Sequence, residues 1–186
     1  MPDASDTQST QSQIDRASES ALSLRFGTIR QMGRILKAEG LIRFRPMSRW
    51  RESLGKVSTQ DLAQGYPADS ASEETLREAS RHVRRTERAI RRLPYHPKCL
   101  PQAMALHWSL KSAGIPSRLI IAMQRELKAE QDSSSALALN GEDRYHAWVE
   151  LGDAMLIGQC DRKSYRPVLG FELPAGQGRE QSATSG

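Results

Sequence analysis

The chain has 186 residues, 38% of them hydrophobic and 5% aromatic, with a net charge of +5 and two cysteines. That length fits one domain with a modest core, no apolar run approaches the roughly 18 residues of a membrane span, and two cysteines cannot make a disulfide framework. The N-terminus has no basic start leading into an apolar stretch, so no signal peptide is expected. The expected location is the cytoplasm, where Cys99 and Cys160 are free thiols or metal ligands.

Residues 1–14 are rich in Ser, Thr, Gln and Asp, and residues 173–186 end in "AGQGREQSATSG"; both are expected to be disordered tails. A helical N-terminal region is predicted over 15–70. Within it, Ala21, Leu22, Leu24, Ile29, Met32, Ile35 and Leu36 follow helical spacing, which predicts an amphipathic helix over 16–38 that ends near Gly40. A basic segment broken at Pro46 follows, and residues 55–70 read as a loop. The remaining domain is predicted over 71–172. It opens with a helix over 71–92, capped by Ser70 or Ser72, with Glu73 and Glu74 in the first turn where the helix dipole favours them. Pro94 ends that helix by biasing Leu93 away from helical angles.

Residues 100–113 predict a second helix, with Leu100, Ala103, Met104, Leu106, Trp108 and Leu110 on its apolar side and Gly114 and Pro116 closing it. His107 is expected to face solvent. "SRLIIAM" at 117–123 is a buried strand, and a polar insert over 124–143 separates it from a strand at 144–151. Gly152-Asp153 predicts a two-residue turn into a strand at 154–159, making an antiparallel hairpin. The fold class is α+β: N-terminal helices, a Cys-bearing helix and a small antiparallel sheet.

Cys99 lies in "HPKCLPQ", at the start of the second helix. Free amides and the positive end of the dipole there favour thiolate, the attacking species. Pro101 is tolerated because first-turn amides have no helical partners. On its own Cys99 reads as a small buried residue; His146, in the strand "YHAWVE", supplies a base and changes that balance. With a two-residue turn at Gly152-Asp153, cross-strand partners sum to 305, so His146 faces Gln159 and lies diagonal to Asp161. Either could hold the imidazole in the tautomer that accepts a thiol proton. Cys160 is expected on the opposite face, as core filler.

"CLPQAMALHWSLKSAGIPSRLIIAM" with "YHAWVELGDAMLIG" resembles the leader peptidases of lasso-peptide biosynthesis, a branch of the transglutaminase-like, papain-related cysteine peptidases, over about residues 76–170. The resemblance implies that Cys99 is the nucleophile, that His146 is the base, and that an Asp on the next strand orients the His. That strand reads "LIGQCD", so Asp161 is the carboxylate at hand and Gln159 the alternative. It further implies removal of a leader from a ribosomally made precursor peptide, without a cofactor. The partners implied are a leader-recognition protein, expected as a separate chain, and an ATP-dependent lasso cyclase.

Three other readings compete. The domain class also holds acyl transferases and inactive binding modules. His96, Cys99, His146 and Cys160 are zinc-ligand types, although their spacing is unlike a compact finger. Seven arginines in 77–92 and four in 43–51 could neutralise nucleic-acid phosphates, but they lie on several helix faces among glutamates, with no aromatic platform.

Overall fold

The computed structural model describes residues 26–58, 62, 71–125 and 144–173. The predicted N-terminal tail, residues 174–186 of the predicted C-terminal tail and nearly all of the polar insert lie outside the described residues, as do residues 16–25 of the first predicted helix. Leu173, read as tail, is the buried last residue of the final strand.

In the described part, helix α1 covers 26–44. It runs through Gly40 rather than ending near it. No left-handed turn forms there, because Ala38, Leu41 and Ile42 continue the buried side, and the helix stops only before Pro46. A single turn, α2 (Met47–Trp50), and a 3-10 turn (Arg51–Leu54) lead to a short strand, β1 (Lys56–Val57), within the segment read as loop. Helix α3 (Glu73–Arg92) begins at Ser72, whose hydroxyl accepts the Thr75 amide at 3.2 Å, and ends at Leu93 before Pro94.

Helix α4 (Cys99–Ala113) is the centre of the molecule, and every residue from Ala103 to Leu110 is buried. It closes at Gly114, whose φ of 70° is the left-handed cap that a glycine adopts without strain. The helix is wrapped on all sides, and this explains why His107 is fully buried instead of facing solvent. Its Nε2 donates to the Leu54 carbonyl at 2.7 Å and its Nδ1 accepts from Ser117 Oγ at 3.2 Å, so both ring nitrogens are satisfied in the neutral form. Burial pushes its pKa down to about 4, against the Leu54 carbonyl, which acts to raise it.

Strands β2 (Ser117–Gln124), β3 (Tyr145–Leu151), β4 (Ala154–Ile157) and β5 (Tyr165–Leu173) join β1 in one antiparallel sheet of order β1-β5-β2-β3-β4. β5 was not anticipated: Pro167 and Gly170 interrupt its apolar pattern, and a bulge near Ala122 lets it pair with β2 despite Pro167. The chain is thus a mixed α+β fold. Leu119, Ala147, Val149, Leu151 and Phe171 meet Ala103, Met104, Leu106 and Leu110 of α4, and Ala38, Trp50 and Leu54 close the same core from the N-terminal side. Ile120, Ala122 and Trp148 build the second face with Leu62 and Tyr165.

That second face also buries charge. Arg118 pairs with Glu150 across the β2–β3 ladder at 2.5 Å, and Glu150 accepts from Trp148 Nε1 at 3.2 Å and meets Arg162 at 3.0 Å. Each charge is matched by geometry, as a buried ion pair requires. Among the described residues, no helix is long and apolar enough to cross a membrane.

Candidate active site

β4 ends at Ile157, opposite Val149, so the edge of β3 over Tyr145–Trp148 has no β4 partner and is left open. The N-terminus of α4 comes to that open edge. Cys99 is the first residue of the helix, and its Sγ lies 4.0 Å from the Tyr145 carbonyl oxygen. Its thiol can donate to that carbonyl, and the His146 ring and the backbone amides of Ala147 and Leu100 lie close enough to act on its ionisation. Burial pushes the thiol pKa up; His146 and the two amides together outweigh it, and the thiol titrates below its ordinary range.

His146 stands on the Trp148–Glu150 face of β3, as the pleat requires. Its Nε2 donates to the carbonyl oxygen of Gly158 at 2.9 Å, which leaves Nδ1 for the sulfur. Cys99 raises the imidazole pKa above its usual value; burial opposes this, and the Gly158 carbonyl adds to it. The thiol pKa is depressed and the imidazole pKa elevated, the direction that favours a thiolate–imidazolium pair. Aromatic rings cover the imidazole: the Tyr165 centroid is 5.2 Å away and that of Trp148 is 6.3 Å away.

The structure brings Cys99 and His146 together and places the other sequence candidates elsewhere. The expected register holds at Leu151–Ala154 and Glu150–Met155 but shifts by one at Val149–Ile157. The chain then leaves the strand at Gly158, with φ of 77°, so the alternation that put Gln159 and Asp161 beside His146 no longer applies. Asp161 instead caps the 3-10 turn Arg162–Ser164. Its carboxylate accepts the Lys163 amide at 3.1 Å and the Ser164 hydroxyl at 2.9 Å, and these bonds hold its pKa below the usual value. Gln159 is exposed and donates to the Met155 carbonyl at 2.9 Å. For the same reason Cys160, expected on the opposite face, packs with Trp148 and Tyr165 on the His146 side. The partner found for His146 is a backbone carbonyl, which has no side-chain signature; the glycine before Gln159 was the only available hint. An added Cβ on Gly158 would collide with the Ala147 carbonyl oxygen, so this close approach needs a glycine.

Gln102 donates to the Pro97 carbonyl at 2.6 Å and sits 3.4 Å from His96 Nε2, which ties both side chains to the loop before α4. Among the described residues, no three His, Cys, Asp or Glu side chains are grouped to hold a metal ion.

A helix-borne cysteine meeting a strand-borne histidine at the edge of an antiparallel sheet defines a class, and the family comparison agrees with it. The family model described as the transglutaminase-like superfamily matches residues 41–170, well over half of the chain. The chain belongs to that superfamily, which includes cysteine peptidases and acyltransferases. No curated protein and no solved structure matches it.

Proposed function

We propose that this chain is a cysteine peptidase that removes the leader from a ribosomally made lasso-peptide precursor. The observation that carries the peptidase reading is the placement of His146 beside Cys99 at the head of α4, where each shifts the other's ionisation, with Nε2 of the same ring tied to Gly158. The leader-peptide specificity rests on the resemblance of the sequence around these two residues.

In this reading the Cys99 thiolate attacks the scissile carbonyl. The imidazolium of His146 protonates the leaving amine through Nδ1 and then, as a neutral base, takes a proton from the water that opens the thioester. The Cys99 amide, in the first turn of α4 where amides have no helical partner, would donate to the developing oxyanion. The Gly158 carbonyl does the orienting work that a carboxylate does elsewhere: it fixes the Nε2–H tautomer, but as a dipole it stabilises the imidazolium less than a full charge does. The partners on this reading are the precursor peptide, a separate leader-recognition protein and an ATP-dependent cyclase that uses the released core, with the cytoplasm as the compartment.

The test is mass spectrometry of a precursor incubated with the purified chain and its leader-recognition protein. The expected product is a core peptide with a free amino terminus and a leader with a free carboxylate. Cys99→Ala and His146→Ala should each abolish it while leaving the circular-dichroism spectrum unchanged. A leader captured as an amide or ester of an added nucleophile, with no free carboxylate, would make the chain an acyl transferase. Undiminished cleavage by Cys99→Ala would end the thiol mechanism.

A further inference from the structure

A second cleft lies between α1, α3 and the C-terminal half of α4, with a volume of about 160 Å³. Ten residues of α4 separate Ser109 in this cleft from Cys99, about 15 Å along the helix axis, so the cleft is distinct from the thiol site. Arg30, Arg34 and Arg85 line it together with His82, Ser109 and Ser112, and among the described residues no carboxylate lines it. Like charges gathered in this way repel one another. Burial, and then Arg30, lower the pKa of Arg34; burial, and then Arg85, lower that of His82, with Glu78 acting in the opposite direction.

The cleft is also built rather than incidental. Arg34 donates to Gln31 at 3.2 Å and to Ser112 at 2.8 Å, which fixes the plane of its guanidinium and leaves N–H groups over. Gln31 is itself buried and donates to buried Thr86 at 2.9 Å, and Thr86 donates to the His82 carbonyl at 3.0 Å. On the opposite wall His82 Nδ1 is paired with Ser109 Oγ at 2.8 Å. A chain of satisfied polar contacts from three helices therefore holds Arg34 and His82 in place beside Arg30 and Arg85, a preorganisation that favours a bound anion. A carboxylate offers two oxygens, whereas three guanidiniums and a histidine match a group with three or more.

We propose that this cleft binds a phosphoryl group, either as free phosphate or as the phosphate of a nucleotide. Isothermal titration calorimetry of the full chain with inorganic phosphate, and separately with a nucleoside triphosphate, tests it. Saturable one-to-one binding is expected, weakened at least tenfold by Arg34→Gln and unchanged when the exposed pair Arg84→Gln and Arg92→Gln is removed instead. Equal affinity for both ligands marks free phosphate as the occupant, and tighter nucleotide binding marks a nucleotide. If Arg34→Gln fails to fold, Arg30→Gln, which is exposed, should still weaken binding several-fold. As an independent readout, phosphate should move the NMR titration of His82 to higher pH. Non-saturable binding, equal loss in the Arg84/Arg92 control, or affinity for a glutamate-rich peptide without affinity for phosphate would overturn the proposal.

Discussion

At Cys99 two effects act on one proton in opposite directions. Burial of the sulfur favours the thiol, while the His146 ring and the amides of Ala147 and Leu100 favour the thiolate and prevail. The active ion pair needs Cys99 deprotonated and His146 protonated. The first pKa is lowered from 9.0 and the second raised from 6.5, so both shifts act in the direction that favours the pair. Activity should rise as pH climbs through the Cys99 transition and fall as His146 loses its proton. Iodoacetamide alkylation of Cys99, followed against pH, should show a transition below the ordinary thiol range, and His146→Ala should move it upward and cost at least about 100-fold in cleavage rate. A transition that stays in place without His146 would sink the ion-pair account. Asp161→Ala and Gln159→Ala should each change kcat/KM by no more than about twofold, as exposed side chains outside the dyad usually do. A large loss at Asp161 would restore it to the orienting role.

The decisive element is the short β4. Had it continued, its backbone would have covered the β3 edge where Cys99 now sits. It stops because Gly158 turns the chain with a positive φ directly against Ala147 and Trp148, and that turn aims the Gly158 carbonyl at His146. Gly158→Ala should therefore do two things at once. Left-handed backbone at a non-glycine costs about 1–2 kcal/mol, read as a shift in the denaturation midpoint. A displaced carbonyl should lower kcat by about 100-fold with KM little changed, the cost expected of roughly an ångström of misplacement at a catalytic group. Stability loss with undiminished kcat would show that the carbonyl does not orient the ring.

Across the whole molecule, two buried titratable features set stability and neither takes part in the proposed chemistry. Glu150→Ala would remove the carboxylate that pairs with the fully buried Arg118 at 2.5 Å, Glu172 lying 3.8 Å away, and should destabilise the fold by about 3–5 kcal/mol in urea denaturation. His107 gives the protein an acid-sensitive core. Its native pKa of about 4 lies below the 6.5 of the unfolded chain, so between those values the unfolded state binds a proton that the native state does not. Stability should fall as pH drops from 6.5 toward 4, by about 3 kcal/mol in all, and then level off for this group. His107→Gln, which keeps a donor toward Leu54, should flatten that slope in pH-dependent unfolding; an unchanged slope would place the acid sensitivity elsewhere.

Local pattern was sufficient wherever one element's own residues decide the outcome. Ser72 with its glutamates began α3, Pro94 ended it, Gly114 closed α4, and Gly152-Asp153 turned β3 into β4 because each acts through its own backbone angles or hydrogen bonds. Cys99 and His146 were legible as a pair because a thiol at a helix start and an imidazole in a strand are unusual side chains for those places. What no pattern carried was decided by packing at long range. His107 is interior because α4 is surrounded, and β5 exists because β2 offers it an edge and tolerates Pro167 through a bulge. The hydrogen-bond partner of His146 Nε2 belongs to this second kind. A one-residue shift in register and a glycine turn replace the expected side chain with a main-chain carbonyl, and a carbonyl, present at every residue, acquires a role only from where the fold puts it.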